Sequence, residues 1–172
     1  MKKDLLKDLL VTVDGAPKIW MDLDGVLADF DRRVELLTGK KPTNLSKKEM
    51  WKAIMDDSHF FLKLEWINAA TPLWNLIKKY DHAVLTGLPS RSEGRDDKIA
   101  WVKKKCGNNT EVIVVPKLDK QLYAASNHIL VDDNQMNIDQ WNAAGGIGIF
   151  HNGDYDRTIL LTKEAIKKIE KR

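Results

Sequence analysis

Only one cysteine, Cys106, occurs in the 172 residues. An internal disulfide is therefore excluded, as is any zinc site built on several cysteines, and a reduced, cytoplasmic setting is the expectation. The four histidines, at 59, 82, 128 and 151, are scattered and suggest no metal site. Charge of one sign is scarce as well: 28 Lys and Arg against 25 Asp and Glu leave a net +3. That excess is too small for a duplex nucleic-acid binder and suits a small anionic substrate. No run of about 18 apolar residues is present, so no membrane-spanning helix and no membrane partner are expected. Leu5, Leu6, Leu9 and Leu10 are interrupted by Lys7 and Asp8, and fit one face of a short amphipathic helix rather than a secretion signal. Ten glycines and five prolines, without period, exclude collagen and low-complexity chains. What remains is a composition 43% hydrophobic and 31% charged, that of a globular chain about one domain long.

Short apolar runs alternate with helical periodicity. Lys18 to Leu23 reads as a buried strand, followed by a helix from near Ala28 that Gly39 stops. Ser46-Lys47-Lys48-Glu49 is a capping box opening a helix over 47–55. Pro72 marks the first turn of another. Strands are predicted at 82–86, 111–115, 129–131 and 147–150, with helices at 96–106, 135–144 and after Thr162. This order predicts a three-layer α/β fold with a mostly parallel sheet. Residues 31–80 lack a clear strand and read as a helical insertion after the first strand. The expected division is a core of 1–30 and 81–172 with a small cap of 31–80.

In open α/β sheets ligands bind beyond the carboxyl ends of the strands. Three strands deliver polar groups to that edge: Asp22 and Asp24, then Thr86, then Asp132 and Asp133. Carboxylates gathered in one place repel each other, and a hard divalent cation such as Mg²⁺ resolves that conflict while leaving room for a phosphate oxygen. Lys117 and Lys120 both follow the 111–115 strand, and Lys98 lies on the helix before it. Gly145-Gly146-Ile147-Gly148 follows a helix and precedes a strand, the reverse of a dinucleotide-binding loop.

Asp22-Leu23-Asp24-Gly25-Val26-Leu27-Ala28-Asp29-Phe30 resembles the opening motif of the haloacid dehalogenase-like phosphohydrolases, and its continuation is similar to their 5'(3')-deoxyribonucleotidase branch. Leu85-Thr86-Gly87, Leu118-Asp119-Lys120 and Ile129-Leu130-Val131-Asp132-Asp133 resemble the later motifs in order and spacing. The resemblance spans roughly residues 18 to 151. It implies a Rossmann-like sheet with the Asp22 strand between the Thr86 and Asp132 strands. It also implies a Mg²⁺-dependent phosphoric monoester hydrolase acting through an aspartyl-phosphate. In that scheme Asp22 is the nucleophile and Asp24 the acid and base. Thr86, Gly87 and Lys120, the lysine that fits the spacing better than Lys117, hold the phosphate. Mg²⁺ sits on Asp22, Asp24 through its carbonyl, and Asp132 or Asp133.

The expected substrate is a nucleoside monophosphate. Alternatives are another small phosphomonoester such as a sugar phosphate, a nucleic-acid end, or a catalytically silent binding module. Aromatic residues of the cap are candidates to stack on a base: Phe30, Phe60, Phe61 and Trp66. Trp51 also falls in the insertion. Trp74, in helical register with Leu73 and Ile77, reads as core.

Overall fold

Alternation along the first strand sets the architecture. Successive side chains of a strand point to opposite faces. Ile19 and Met21 are wholly buried on one face, and Trp20 is buried on the other. A strand apolar on both sides needs a layer above and below it. The computed structural model describes residues 15–89, 92–116 and 119–172. In it β1 (Lys18–Met21), β2 (Asp81–Gly87), β3 (Glu111–Val115), β4 (His128–Asp132) and β5 (Ile147–Phe150) form one sheet of order β3-β2-β1-β4-β5. Each neighbouring pair is parallel. The Rossmann-like α/β sheet expected from the sequence is present, with β1 at its centre between β2 and β4.

Three helices lie between β1 and β2: α1 (Phe30–Thr38), α2 (Lys47–Asp56) and α3 (Thr71–Ile77). Then α4 (Ser92–Cys106) links β2 to β3, α5 (Gln135–Ala143) links β4 to β5, and α6 (Tyr155–Glu170) follows β5. The larger core packs Trp101 and Val102 of α4, Leu73 and Ile77 of α3, and Ile166 and Ile169 of α6 on the Ile19–Met21 face. Ile54, Phe60, Phe61 and Leu64 of the inserted segment belong to that same core. Ile138 and Trp141 of α5 cover the other face with Trp20 and Leu130. Among the described residues no helix is long and apolar enough to cross a membrane. The proposed helix over Leu5–Leu10 lies outside the described residues.

Local signals placed most boundaries. Ser46 accepts from the Glu49 N–H while the Glu49 carboxylate accepts from the Ser46 N–H at 2.8 Å, a complete capping box. Gly39 ends α1 in the left-handed region at φ +69°. Two helices start earlier than their periodicity predicts. α4 begins at Ser92, not 96, and its added first turn carries Gly94 where Pro89 and the Phe61 ring press so close that any side chain would collide. α6 begins at Tyr155, not after Thr162, because the Asp154 side chain caps the Arg157 N–H at 3.0 Å. β1 stops at Met21, two residues short of the expected end, because the chain turns immediately beyond it.

Candidate functional site

The turn after β1 is wound tightly on itself. The N–H groups of Leu27 and Ala28 both donate to the Leu23 carbonyl at 2.9 Å, and Gly25 N–H donates to Ala28 O at 2.9 Å. Gly25 takes φ +78°, which only glycine adopts without strain. A Cβ there would also run into the Asp133 carboxylate. The turn therefore presents Asp22 and Asp24 at the sheet edge with the end of β4 pressed against them. Tyr155 of α6 braces it from behind, donating its hydroxyl to Val26 O at 2.8 Å.

Lys120 joins the two strand ends. Its ammonium is buried and lies 2.7 Å from Asp22 Oδ1 and 2.7 Å from Asp132 Oδ2. Burial works against charge on this amine, but Asp22 and Asp132 outweigh it and hold the pKa above the ordinary lysine value. Asp132 is fully buried and its oxygens are engaged: Oδ1 accepts from Asn134 N–H at 2.8 Å, and Oδ2 also accepts from Asn137 Nδ2 at 2.9 Å. Burial and the Asp22 charge push its pKa up. Asp133 faces the cleft and has no hydrogen-bond donor among the described residues. Crowding by protein atoms, then the charges of Asp22 and Asp132, push it up as well. Lys117 lies outside the described residues.

Single oxygens of Asp22, Asp132 and Asp133 lie within 4.8 Å of one another. All are hard oxygen donors gathered at two neighbouring strand ends, so the donor set fits Mg²⁺. Asp133, uncommitted to any protein donor, is freer to bind an ion than Asp132, a distinction the sequence left open.

A second buried lysine stands opposite. Lys98 Nζ donates to Asp24 Oδ2 at 2.6 Å, Thr86 Oγ1 at 3.1 Å and Gly87 O at 2.9 Å, and lies 4.7 Å from the centre of the Phe61 ring. The other Asp24 oxygen, Oδ1, is buried without a hydrogen-bond partner among the described residues. Lys98, which the sequence places on the helix before β3, is 3% exposed and meets Asp24, Thr86 and Gly87 at once. A cleft of about 370 Å³ opens over these groups, lined among others by Asp22, Asp24, Gly87, Lys98, Lys120 and Asp133.

The four aromatic candidates divide. Phe30 and Phe61 line the cleft, joined by Trp51 of α2. Phe60 does not: it is buried edge-on between Phe30 and Phe61, with ring centres 5.4 and 5.1 Å away. Trp66 does not either. It stacks on Trp101 at 5.9 Å, meets Trp74 edge-on, and donates its indole N–H to Thr71 Oγ1 at 3.0 Å. The apolar face of α4 outcompetes the cleft for that ring. Trp74 is core, as its spacing predicts. Asn137 was missed; the one signal for it was its position one turn into the helix that follows the Asp132 strand.

No family model matches the sequence. No curated protein matches it. Solved structures match the fold. A haloacid dehalogenase-like family hydrolase from Xanthomonas campestris superposes with a TM-score of 0.61 at 12% identity, covering 91% of this chain and 94% of that one. A hydrolase from Streptococcus pneumoniae TIGR4 gives a TM-score of 0.52 at 12% identity, covering 86% of this chain and 99% of that one. At such identities the likeness is one of fold: this chain adopts the α/β fold seen in haloacid dehalogenase-like hydrolases.

Proposed function

We propose that this chain is a Mg²⁺-dependent phosphatase that hydrolyses a nucleoside monophosphate through an aspartyl-phosphate on Asp22. The observation that carries the reading is the buried Lys120 ammonium, 2.7 Å from both Asp22 and Asp132, at the floor of an open cleft. Placing a cation between two carboxylates holds one as a fixed anion and leaves its second oxygen for attack.

The Asp22 carboxylate attacks phosphorus, the bond to the leaving oxygen breaks, and Asp24 delivers its proton to that oxygen. Asp24 then takes a proton from water as the water attacks phosphorus, which frees Asp22 and releases inorganic phosphate. Lys98 holds Asp24 Oδ2 and so fixes the orientation of the carboxyl for both transfers. The Thr86 hydroxyl and Gly87 N–H bind the phosphoryl oxygens, and Lys120 offsets their charge. Asp22, Asp133 and the Asp24 carbonyl, with Asp132 behind, would hold Mg²⁺, which when bound would supply further neutralisation of charge on the transferring group. Residues 31–80 act as the cap over the strand ends, and Phe30, Phe61 and Trp51 form the apolar wall against which a base stacks.

The test is hydrolysis of p-nitrophenyl phosphate with Mg²⁺ and with chelator. Asp22→Asn is expected to abolish turnover, and Asp24→Asn to slow it about 10²- to 10⁴-fold. Wild-type turnover by Asp22→Asn would sink the covalent mechanism. Glycerol phosphate hydrolysed as fast as nucleotides would remove the nucleotide assignment alone.

A further inference from the structure

Beside the cleft lies a smaller pocket, of about 20 Å³, and Trp51, Phe61 and Pro89 line both. That space suffices for one small group, a water or an amino group. Its other walls include Phe60 and three carboxylate residues, Asp57, Glu93 and Asp97. Two of these differ sharply in what they have left to offer. Asp57 is taken, by Arg33 at 2.7 Å and by Lys63 at 2.6 Å. Asp97 is half taken. His59 Nδ1 bonds its Oδ1 at 2.8 Å, while Oδ2 is buried and has no partner among the described residues. The residue is 4% exposed.

A buried carboxylate oxygen without a donor is expensive to leave so, and such an atom calls for a group to fill its need. An O–H or an N–H can donate to a carboxylate, and between aromatic walls a cationic N–H gains a second attraction, that of the ring faces. We infer that this pocket is the recognition subsite for an amino or ammonium group on the substrate's leaving group, with Asp97 Oδ2 as its acceptor. The inference rests on the phosphatase reading and specifies its substrate class. Two sources fit the chemistry. A nucleobase carrying an exocyclic amine donates an N–H to an acidic acceptor, as cytosine does through N4. An alkylammonium phosphoester offers a full positive charge instead. A base presenting only carbonyl oxygens beside a ring N–H sets an oxygen lone pair against the carboxylate. His59, which bonds Asp97 Oδ1 and leaves Oδ2 uncommitted, is then a positioning residue.

The experiment compares matched pairs on the full chain with Mg²⁺: CMP against UMP, and ethanolamine phosphate against 2-hydroxyethyl phosphate, with p-nitrophenyl phosphate as the control for chemistry. A charged hydrogen bond predicts that the amino member of at least one pair leads in kcat/KM by about tenfold or more. A lead confined to the first pair assigns the donor to a base, and one confined to the second assigns it to an alkylammonium group. In Asp97→Asn the ratio within the favoured pair is expected to fall toward one. The ratio is taken within one preparation, so partial loss of folded protein cancels, and the wild-type pairs decide even if the variant does not fold. Hydrolysis of p-nitrophenyl phosphate with no preference in either pair overturns the inference and leaves the phosphatase reading intact, the pocket then being a water site. A preference that survives Asp97→Asn overturns the role of this acceptor. No turnover of any ester overturns the phosphatase reading and this one with it.

Discussion

Single residues decide how the strand ends meet. Gly25 carries two demands together, a left-handed backbone and a close approach to Asp133. Gly25→Ala is therefore expected to cost at least about 1–2 kcal/mol for the backbone conformation alone, measured by urea unfolding. A smaller loss would mean that the turn relaxes away from Asp133. His59 carries a different demand. It is the one non-glycine residue at positive φ among the described residues, and its ring is largely exposed while its partner Asp97 is buried. The hydrogen bond and charge of Asp97 raise its pKa, with Glu93 adding to the effect and Lys63 and partial desolvation opposing it. A raised folded-state pKa means that the imidazolium binds its proton more tightly in the folded chain. This contribution to stability is fully present below the unfolded value, near 6.5, and fades as pH rises through the raised value. Unfolding curves of the wild type and His59→Asn are expected to diverge on the acid side and converge toward alkaline pH. Curves that stay parallel across that range would remove the charge from this pair.

At the scale of elements, capping explains what periodicity did not. Asp154 starts α6 and thereby sets Tyr155 against the Val26 carbonyl. Asp154→Ala is expected to lose about 1 kcal/mol of stability, within the usual range for an N-cap, and to lower phosphate release by loosening the turn that carries Asp22. Stability loss without any change in kcat would separate the two ends of that link. The strand-end carboxylates were legible in the sequence because each sits directly after an apolar run, where chain order and spatial position coincide. Lys98 was not equally legible. It lies in a charged stretch with little amphipathic contrast, and its reason for burial, Asp24, is 74 residues away in the chain. Trp66 misled for the converse reason. Membership of the inserted segment carries no direction, and the side chain turned to α4. Asp97 gave no signal at all, since an Asp-Asp pair in a helix reads as a solvated face.

For the molecule as a whole, the inserted segment and the sheet share one apolar core, with Phe60, Phe61 and Leu64 packed in the same body as Ile19, Val84 and Trp101. A shared core couples their stabilities. Denaturation followed by far-UV circular dichroism and by tryptophan emission is expected to give one coincident transition. Two separated midpoints would show that residues 31–80 melt independently. The six tryptophans are spread unevenly across this body. Trp20, Trp74, Trp101 and Trp141 are buried, and Trp66 is sandwiched between Trp74 and Trp101, whereas Trp51 is half-buried where the cleft and the side pocket adjoin. Their optical properties divide accordingly. Five indoles report on folding, and one reports on occupancy. Ligand entering the cleft is expected to exclude water from Trp51 and shift its emission to shorter wavelength, a signal that Trp51→Phe deletes while leaving the other five in place. The chain thus carries its own binding probe, readable in Asp22→Asn, where no product accumulates to blur the titration.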